Sequence, residues 1–201
     1  MVTVGLGEAD VEWGLASGEL RCPACAGVLR PWGWARKRRL RDAQGEGLLL
    51  RPRRSRCRSC GLSHVLLPSI ALLRWADLVE VIGQALTAMA GGAGARKAAE
   101  RVGRSVETVR GWMRRFRART EQLRVFFTAL LVDTGADPVP PAAVGNPVAD
   151  TISAIVGAAA VARSRWPDVV GEVPFWGFAA AVSHGRLLAP SWPPDVPALC
   201  R

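Results

Sequence analysis

The sequence predicts an α+β fold in which a small β-rich part precedes a mainly α-helical part. Residues 1–68 contain two pairs of cysteines, many arginines and the turn AQGEG at 43–47, with short runs typical of β-strands on either side. From residue 70 onward the apolar residues recur at helical spacing. A proline-rich stretch at 133–147 interrupts the helical pattern, and two further apolar segments follow it.

The charge distribution indicates a polyanionic partner for the first 124 residues. The 201-residue chain has 27 Lys and Arg against 17 Asp and Glu, which gives a net charge of +10. Eleven of the basic residues lie within 30–58 and ten within 95–124, whereas the chain from Val125 onward is net acidic. Such a surplus favours nucleic acid as the partner, with an anionic membrane surface as the second choice.

Two features of the sequence bear on where the protein is located. The first twenty residues lack the basic and apolar regions of a secretion signal. The most apolar later run, ISAIVGAAAVA at 152–162, is shorter than the roughly 20 residues that span a bilayer. We therefore expect a cytoplasmic, nucleoid-associated protein without a membrane partner.

The paired cysteines have the spacing of a structural zinc site. Cys22 and Cys25 form one CxxC pair, and Cys57 and Cys60 form the other. Two such turns supply four thiolates, which hold Zn²⁺ in a tetrahedral site. The spacer between the pairs is 31 residues long, and a hairpin around residues 43–47 would bring its ends together.

Redox and catalytic roles of these cysteines are less favoured. A thioredoxin-like pair needs a βαβ context, which this segment lacks. A catalytic zinc keeps an open ligand position beside an acid or a base, and only Asp42 and Glu46 lie between the two pairs, in the predicted turn. His64 follows the second pair, and we expect it to be a surface histidine, although its use as a substitute ligand stays open.

Two tryptophans lie between the cysteine pairs, in RPWGWARKRRLR at 30–41. Trp32 and Trp34 are spaced to share one face of a strand, among basic residues. Such rings either stack on bases or form the small core of the segment. We interpret the two tryptophans as core and the arginines around them as contacts to nucleic acid.

The segment ARKAAERVGRSVETVRGWMRRF at 95–116 predicts two short helices joined by a tight turn. The first helix has a narrow apolar face of small residues, namely Ala95, Ala98, Ala99 and Val102. Gly103 suits a left-handed turn, because other residues adopt that conformation only at a cost. Ser105 can cap the second helix, and Glu107 in its first turn complements the helix dipole.

The second helix has an apolar face and a basic face. Its apolar residues are Val106, Val109, Met113 and Phe116, with Trp112 beside them. The opposite face carries Arg110, Arg114 and Arg117. Apolar positions continue at Leu123, Phe127 and Leu130, so we expect the helix to run on to about Leu131. There it would pack against the C-terminal helices or a second copy of the chain, which leaves a homodimer open.

The spacing of Ala99, Gly103 and Val109 resembles the helix-turn-helix of bacterial DNA-binding proteins. The resemblance implies that the second helix enters the major groove with its N-terminal residues at base edges. On that basis Glu107, Thr108 and Arg110 would read bases, and Ser105 would cap the helix and touch phosphate. The residues implied to contact phosphate are Arg96, Lys97, Arg104, Arg114 and Arg115. Arg104 departs from the pattern, which usually has an apolar residue after the glycine.

Taken together, CPAC and CRSC with LRPWGWARKRR and HVLLP, followed by the two helices, resemble an uncharacterised actinobacterial family of zinc-ribbon, transposase-like proteins. The resemblance covers roughly residues 10–190. It implies double-stranded DNA binding, as a transcriptional regulator or as the DNA-recognition component of a mobile element, and leaves open a transposase or recombinase partner. An RNA-binding ribbon protein and a protein-interaction adaptor remain as alternatives.

We predict no catalytic activity. The chain contains no tyrosine, which excludes tyrosine recombinases. A metal-dependent transposase needs three carboxylates on a β-rich core, and the acids after residue 124 lie in segments with linker or helix patterns. Ser183 and His184 are adjacent, but adjacency alone does not make a nucleophile and base, and we expect them at a helix end.

These patterns divide the chain into four predicted parts. The parts are a zinc-ribbon domain at 1–68, a helix-turn-helix DNA-binding domain at 70–132, a proline-rich linker at 133–147, and a C-terminal helical segment and tail at 148–201.

Overall fold

A four-stranded sheet and a separate hairpin form the N-terminal part of the computed structural model, which describes residues 2–5 and 7–194. The strands are β1 Val2–Val4, β2 Leu29–Trp34, β3 Arg38–Arg41, β4 Gly47–Leu50, β5 Arg53–Cys57 and β6 Ser63–Pro68. The sheet has the order β1-β6-β5-β2, in which β1 pairs parallel with β6 and the other pairs are antiparallel.

The core of this sheet is completed by a helix that the sequence pattern did not predict. Helix α1, Glu8–Ser17, contributes Leu15, which packs with Leu29 of β2 and Leu66 of β6. All three side chains are at most 1% exposed. The buried face of the sheet therefore takes its apolar material from α1 and from alternate strand residues.

The hairpin predicted around residues 43–47 is confirmed. Strands β3 and β4 pair antiparallel on either side of it. The Asp42 carboxylate accepts hydrogen bonds from the backbone N–H groups of Gln44 (3.0 Å) and Glu46 (2.8 Å), which is the usual way in which Asp fixes a turn. Gly45 takes a left-handed conformation with φ 86°.

The rest of the described chain is mainly helical, so the predicted α+β class is confirmed. The helices are α2 Val79–Ala90, α3 Ala95–Val102, α4 Val106–Arg117, α5 Thr120–Thr134, α6 Pro147–Arg165, α7 Pro167–Val170 and α8 Phe175–Val182. The long helix expected to reach Leu131 is instead two helices, because α4 ends at Arg117 and α5 begins at Thr120.

Helices from both sides of the proline-rich stretch share one hydrophobic core. Leu123 and Phe127 of α5 are fully buried, and α6 packs along α5 and covers them. Trp176 of α8 lies so close to α2 that a Cβ on Gly83 would be 2.2 Å from its ring. Residues 148–194 therefore complete the core of the preceding helices. The apolar face of α5, which was expected to pack against the C-terminal helices or a second copy of the chain, is covered by α6 of the same chain. Residues 195–201, the end of the predicted tail, lie outside the described residues.

A buried carboxylate joins the hairpin to the helical part. Asp77 is 2% exposed and binds the guanidinium groups of Arg41 on β3 (3.2 Å) and Arg104 after α3 (2.6 Å). Backbone hydrogen bonds between Arg41 and the residues on either side of Asp77, Ala76 and Leu78, reinforce the contact. We call the three side chains of Arg41, Asp77 and Arg104 the Asp77 clamp.

Among the helices of the described residues, none combines the length and the apolar character needed to cross a bilayer.

Candidate metal centre and nucleic-acid interface

The first cysteine pair lies in a tight turn closed by its own backbone. The N–H of Ala26 donates to the carbonyl of Cys22 (2.8 Å), and the N–H of Cys22 donates to the carbonyl of Gly27 (2.8 Å). Ala26 has a φ of 55°, in the left-handed region. A Cβ on Gly27 would lie 2.4 Å from the Ser59 hydroxyl, so only glycine lets the two turns approach this closely.

The second pair repeats this backbone arrangement. The N–H of Gly61 donates to the carbonyl of Cys57 (3.1 Å), and the N–H of Cys57 donates to the carbonyl of Leu62 (2.9 Å). Gly61 has a φ of 73°, at the position equivalent to Ala26. The two turns are thus a matched pair, each aiming two sulfurs at the same point.

The four sulfurs fit one tetrahedral zinc ion. The ligand atoms of Cys22, Cys25, Cys57 and Cys60 all lie within 4.8 Å of one another, and all four are free thiols. The sulfurs of Cys22 and Cys60 are 3.7 Å apart, and those of Cys25 and Cys57 are 3.5 Å apart. A Zn–S distance near 2.3 Å gives tetrahedral edges of about 3.8 Å. The predicted structural zinc site is therefore confirmed as a cluster of the right size and composition.

The proton chemistry of the cluster also favours a cation. The backbone N–H of Cys60, with that of Ser59, lowers the pKa of Cys57 to about 6. At Cys60 the N–H of Leu62 favours the thiolate, but burial and the other three sulfurs outweigh it and raise the pKa to about 12. One thiolate therefore forms readily and opposes the next. A divalent ion bound here would offset the repulsion between thiolates and would hold all four sulfurs in the deprotonated form.

His64 is buried beside the cluster, and the prediction of a surface histidine is wrong. Its side chain lies on the inner face of β6 and the residue is only 7% exposed. The Nε2 atom is 3.3 Å from the sulfur of Cys22. Desolvation lowers the pKa of His64, which favours the neutral ring. A neutral imidazole with its proton on Nε2 donates to the Cys22 thiolate and orients that ligand.

Both ribbon tryptophans are at the surface, so their interpretation as core is wrong. Trp32 is 53% exposed and Trp34 is 37% exposed. The guanidinium of Arg56 lies 4.8 Å from the Trp32 ring, and that of Arg53 lies 4.7 Å from the Trp34 ring. The small core of the ribbon forms without either ring, because Leu15 of α1 packs against Leu29 and Leu66.

The two tryptophans also lie on opposite faces of the sheet. The register of β2 on β5 shifts between Pro31 and Trp34, and the intervening Gly33 has a φ of 94°. Trp34 consequently pairs with Arg53, whose side chain points away from that of Arg56 because strand residues alternate. The expectation of a shared face fails at this bulge.

The α3–α4 connection has the local geometry predicted for it. Gly103 has a φ of 60° and ends α3, with the N–H of Arg104 donating to the carbonyl of Ala99 (3.0 Å) in a Schellman-type turn. Ser105 accepts a hydrogen bond from the N–H of Thr108 (3.2 Å) and caps α4. Glu107 lies in the first turn of α4. The turn glycine, the capping serine and the acidic residue of the first turn therefore all lie at the positions predicted for them.

Helix α4 separates its apolar and basic residues onto different faces. Val109, Trp112, Met113 and Phe116 are at most 2% exposed, in contact with the common helical core. The side chains of Glu107, Arg110, Arg114 and Arg117 are exposed, and Thr108 is half-buried. Arg110, Arg114 and Arg117 line one groove together with the start of α3. Arg96 and Lys97 are exposed in the first turn of α3.

Arg104 is a structural residue and is not available to phosphate. Its side chain is 6% exposed and is held by the Asp77 carboxylate and by the carbonyls of Gly103 (2.9 Å) and Asp42. A phosphate contact would require breaking the Asp77 clamp. The departure from the helix-turn-helix pattern at this position is therefore explained by contact with the ribbon hairpin.

A second cationic groove was not found from the sequence. The guanidinium of Arg115 lies 5.1 Å from the ring of Trp75, and both residues line a groove with Arg74 and Arg186. These arginines come from three distant parts of the chain, so no local pattern could have grouped them.

Ser183 and His184 do not form a catalytic pair. Ser183 is fully buried at the end of α8, where its hydroxyl donates to the carbonyl of Ala180 (3.1 Å). His184 is exposed and has a φ of 51°, just after the helix end.

Comparison of the chain with family models, with curated proteins and with solved structures gave no match.

Proposed function

We propose that this protein binds double-stranded DNA through α3 and α4, which act as a helix-turn-helix with α4 as the recognition helix. The zinc ribbon supports this unit and adds basic surface. In the cell the protein would act at the nucleoid, as a transcriptional regulator or as the DNA-recognition component of a mobile element with a transposase or recombinase partner.

The observation that carries the proposal is the combination of a well-defined turn between α3 and α4 and an exposed basic face on α4. Gly103 and Ser105 fix the angle between the two helices, and the apolar side of α4 is fully packed. The opposite side presents Arg110 and Arg114 to solvent without an acidic residue in the groove that they line. A helix of this kind fits the major groove, where its N-terminal residues reach base edges.

The proposed roles differ along α4. Glu107, Thr108 and Arg110 lie at the N-terminal half and are assigned to base edges, where a bidentate Arg–guanine contact is worth about 1–3 kcal/mol of discrimination. The residues assigned to phosphate are Arg96, Lys97, Arg114 and Arg115. Ser105 caps α4 by accepting from the N–H of Thr108, and its exposed hydroxyl, which also has a proton to donate, is assigned to phosphate.

The ribbon contributes rigidity to this arrangement. The Asp77 clamp ties β3 to the turn between α3 and α4, and this contact supports the hairpin against the start of the recognition helix. Zinc binding organises the first 68 residues, because the ligands come from two turns far apart in the chain. Loss of zinc would therefore weaken DNA binding indirectly, through the support of α4.

A mobility-shift titration against a library of genomic duplex fragments tests the proposal. The wild type should retain a subset of fragments, and Arg110→Ala should lose the preference among them while it keeps weak general binding. Arg124→Ala is the matched control, since Arg124 is an arginine on α5 whose partner is Glu121. Absence of duplex binding by the wild type, or equal effects of the two variants, would disprove the proposal.

A further inference from the structure

One face of the ribbon sheet is basic and solvent-exposed, and the other face is buried. On β2, β5 and β6 the inner positions include Leu29, Cys57, His64 and Leu66, all at most 7% exposed. The alternate positions form what we call the ribbon outer face, made of the exposed residues Trp32, Arg54 and Arg56 and the half-buried Arg30. Strands β2, β5 and β6 contain no acidic residue, so nothing on them neutralises the three arginines.

Trp32 is exposed to solvent, whereas other large aromatic side chains of the protein are buried in the helical core. Trp112, Trp176, Phe116 and Phe127 are all at most 1% exposed. Trp32 remains 53% exposed even though the Arg56 guanidinium lies 4.8 Å from its ring centre. A tryptophan held in this way by an arginine is a preformed surface for stacking, since its position is already restricted before a ligand arrives.

We propose that the ribbon outer face binds single-stranded DNA, with an unpaired base stacked on Trp32 and the adjacent phosphates on Arg30, Arg54 and Arg56. The charge of this face selects a polyanion. The exposed ring selects unpaired bases, because the faces of paired bases are covered by their neighbours in a duplex. Arg56 contributes twice, through its charge and through its stack on the indole.

The choice of DNA over RNA rests on the proposed function. The Asp77 clamp ties the β3–β4 hairpin to α3 and α4, and Leu40 of that hairpin packs with Leu67 of β6, so a chain bound to a duplex through α4 carries the ribbon with it to that nucleic acid. We expect Trp32 to stack on a base of an unpaired DNA segment beside the duplex, as at an opened end or a melted site. No base-specific readout is required, since every base offers a face for stacking.

The test is a fluorescence-anisotropy titration with a labelled oligothymidine of about 12 nucleotides, within the range of single-strand site sizes. The full-length zinc-loaded protein should bind it, and Trp32→Ala should weaken binding by roughly 5- to 150-fold, the loss of about one stacked base. Trp32→Phe should recover part of the affinity because it keeps an aromatic face. Trp13→Ala is the matched control, since Trp13 is 61% exposed on α1.

The outcomes separate this inference from the helix-turn-helix proposal. Trp32→Ala should leave duplex binding within about twofold of the wild type, whereas Arg110→Ala should impair duplex binding and leave oligothymidine binding intact. Absence of oligothymidine binding, or equal loss in Trp13→Ala and Trp32→Ala, overturns the single-strand site while duplex binding stands. Tighter binding of an oligouridine of equal length overturns the assignment to DNA in favour of RNA. Retained oligothymidine binding without any duplex binding would refute the helix-turn-helix proposal alone.

Discussion

Removal of the Asp77 carboxylate should be among the most damaging single changes in the protein. Asp77 and the Arg104 side chain are 3% and 6% exposed as side chains, and their charged atoms are 2.6 Å apart. In Asp77→Ala the Arg104 guanidinium would stay buried without a counter-charge, which typically costs about 3–5 kcal/mol. The contact to Arg41, whose side chain is 47% exposed, adds at most about 1 kcal/mol. A loss of this size is a large fraction of the roughly 5–15 kcal/mol by which domains are usually stable.

Urea unfolding of zinc-saturated protein, followed by tryptophan fluorescence, measures this loss. The matched control is Glu121→Ala, which removes an equally short Arg–carboxylate contact (2.7 Å) at the surface of α5 and should cost less than about 1 kcal/mol. A second variant tests the mechanism, because Asp77→Ala combined with Arg104→Met removes both charges and should be less destabilised than Asp77→Ala alone. If Asp77→Ala costs no more than Glu121→Ala, the clamp does not stabilise the fold as argued.

Three further changes test single features of the two sites. Gly103→Ala should lower the free energy of unfolding by about 1–2 kcal/mol, because its φ of 60° is unfavourable for alanine. The control, Gly111→Ala within α4, should leave the free energy of unfolding unchanged or raise it by up to about 1 kcal/mol. Equal effects of the two variants in thermal unfolding would contradict the turn geometry. Ser105→Ala should cost about 1 kcal/mol through loss of the α4 cap, and an unchanged melting temperature would show that the cap contributes nothing. His64→Ala should weaken zinc affinity by about 10–100-fold in a chelator competition, while Ser63→Ala, at an exposed neighbouring position, should not. Equal zinc retention in both variants would rule out His64 as an orienting residue.

The parts of the molecule that could be predicted from sequence are those fixed by local spacing. The two CxxC pairs supply four sulfurs, and each turn closes through its own backbone hydrogen bonds. The zinc site can therefore be predicted from the two short cysteine-containing turns alone. The same holds for the α3–α4 turn, where Gly103 and Ser105 act within one or two turns of helix. Such features do not depend on what the rest of the chain does.

The parts that could not be predicted depend on distant contacts. An arginine after a turn glycine suggests a solvent-exposed side chain, and only the fold brings Asp77 against Arg104. The ribbon core forms without Trp32 or Trp34, because α1, a short helix without a side-chain cap, supplies its buried Leu15. Trp32 is exposed because it lies on the face opposite α1, and this placement depends on the sheet register and on a helix that the local pattern did not predict.

The salt dependence of duplex binding is the most direct test of the central claim, that α3 and α4 grip double-stranded DNA. Four phosphate contacts, from Arg96, Lys97, Arg114 and Arg115, predict that log K falls with log salt concentration with a slope of about −3.6. Arg114→Ala should make that slope shallower by about 1. Duplex affinity that is absent at low salt, or that does not change with salt in either protein, would contradict the account.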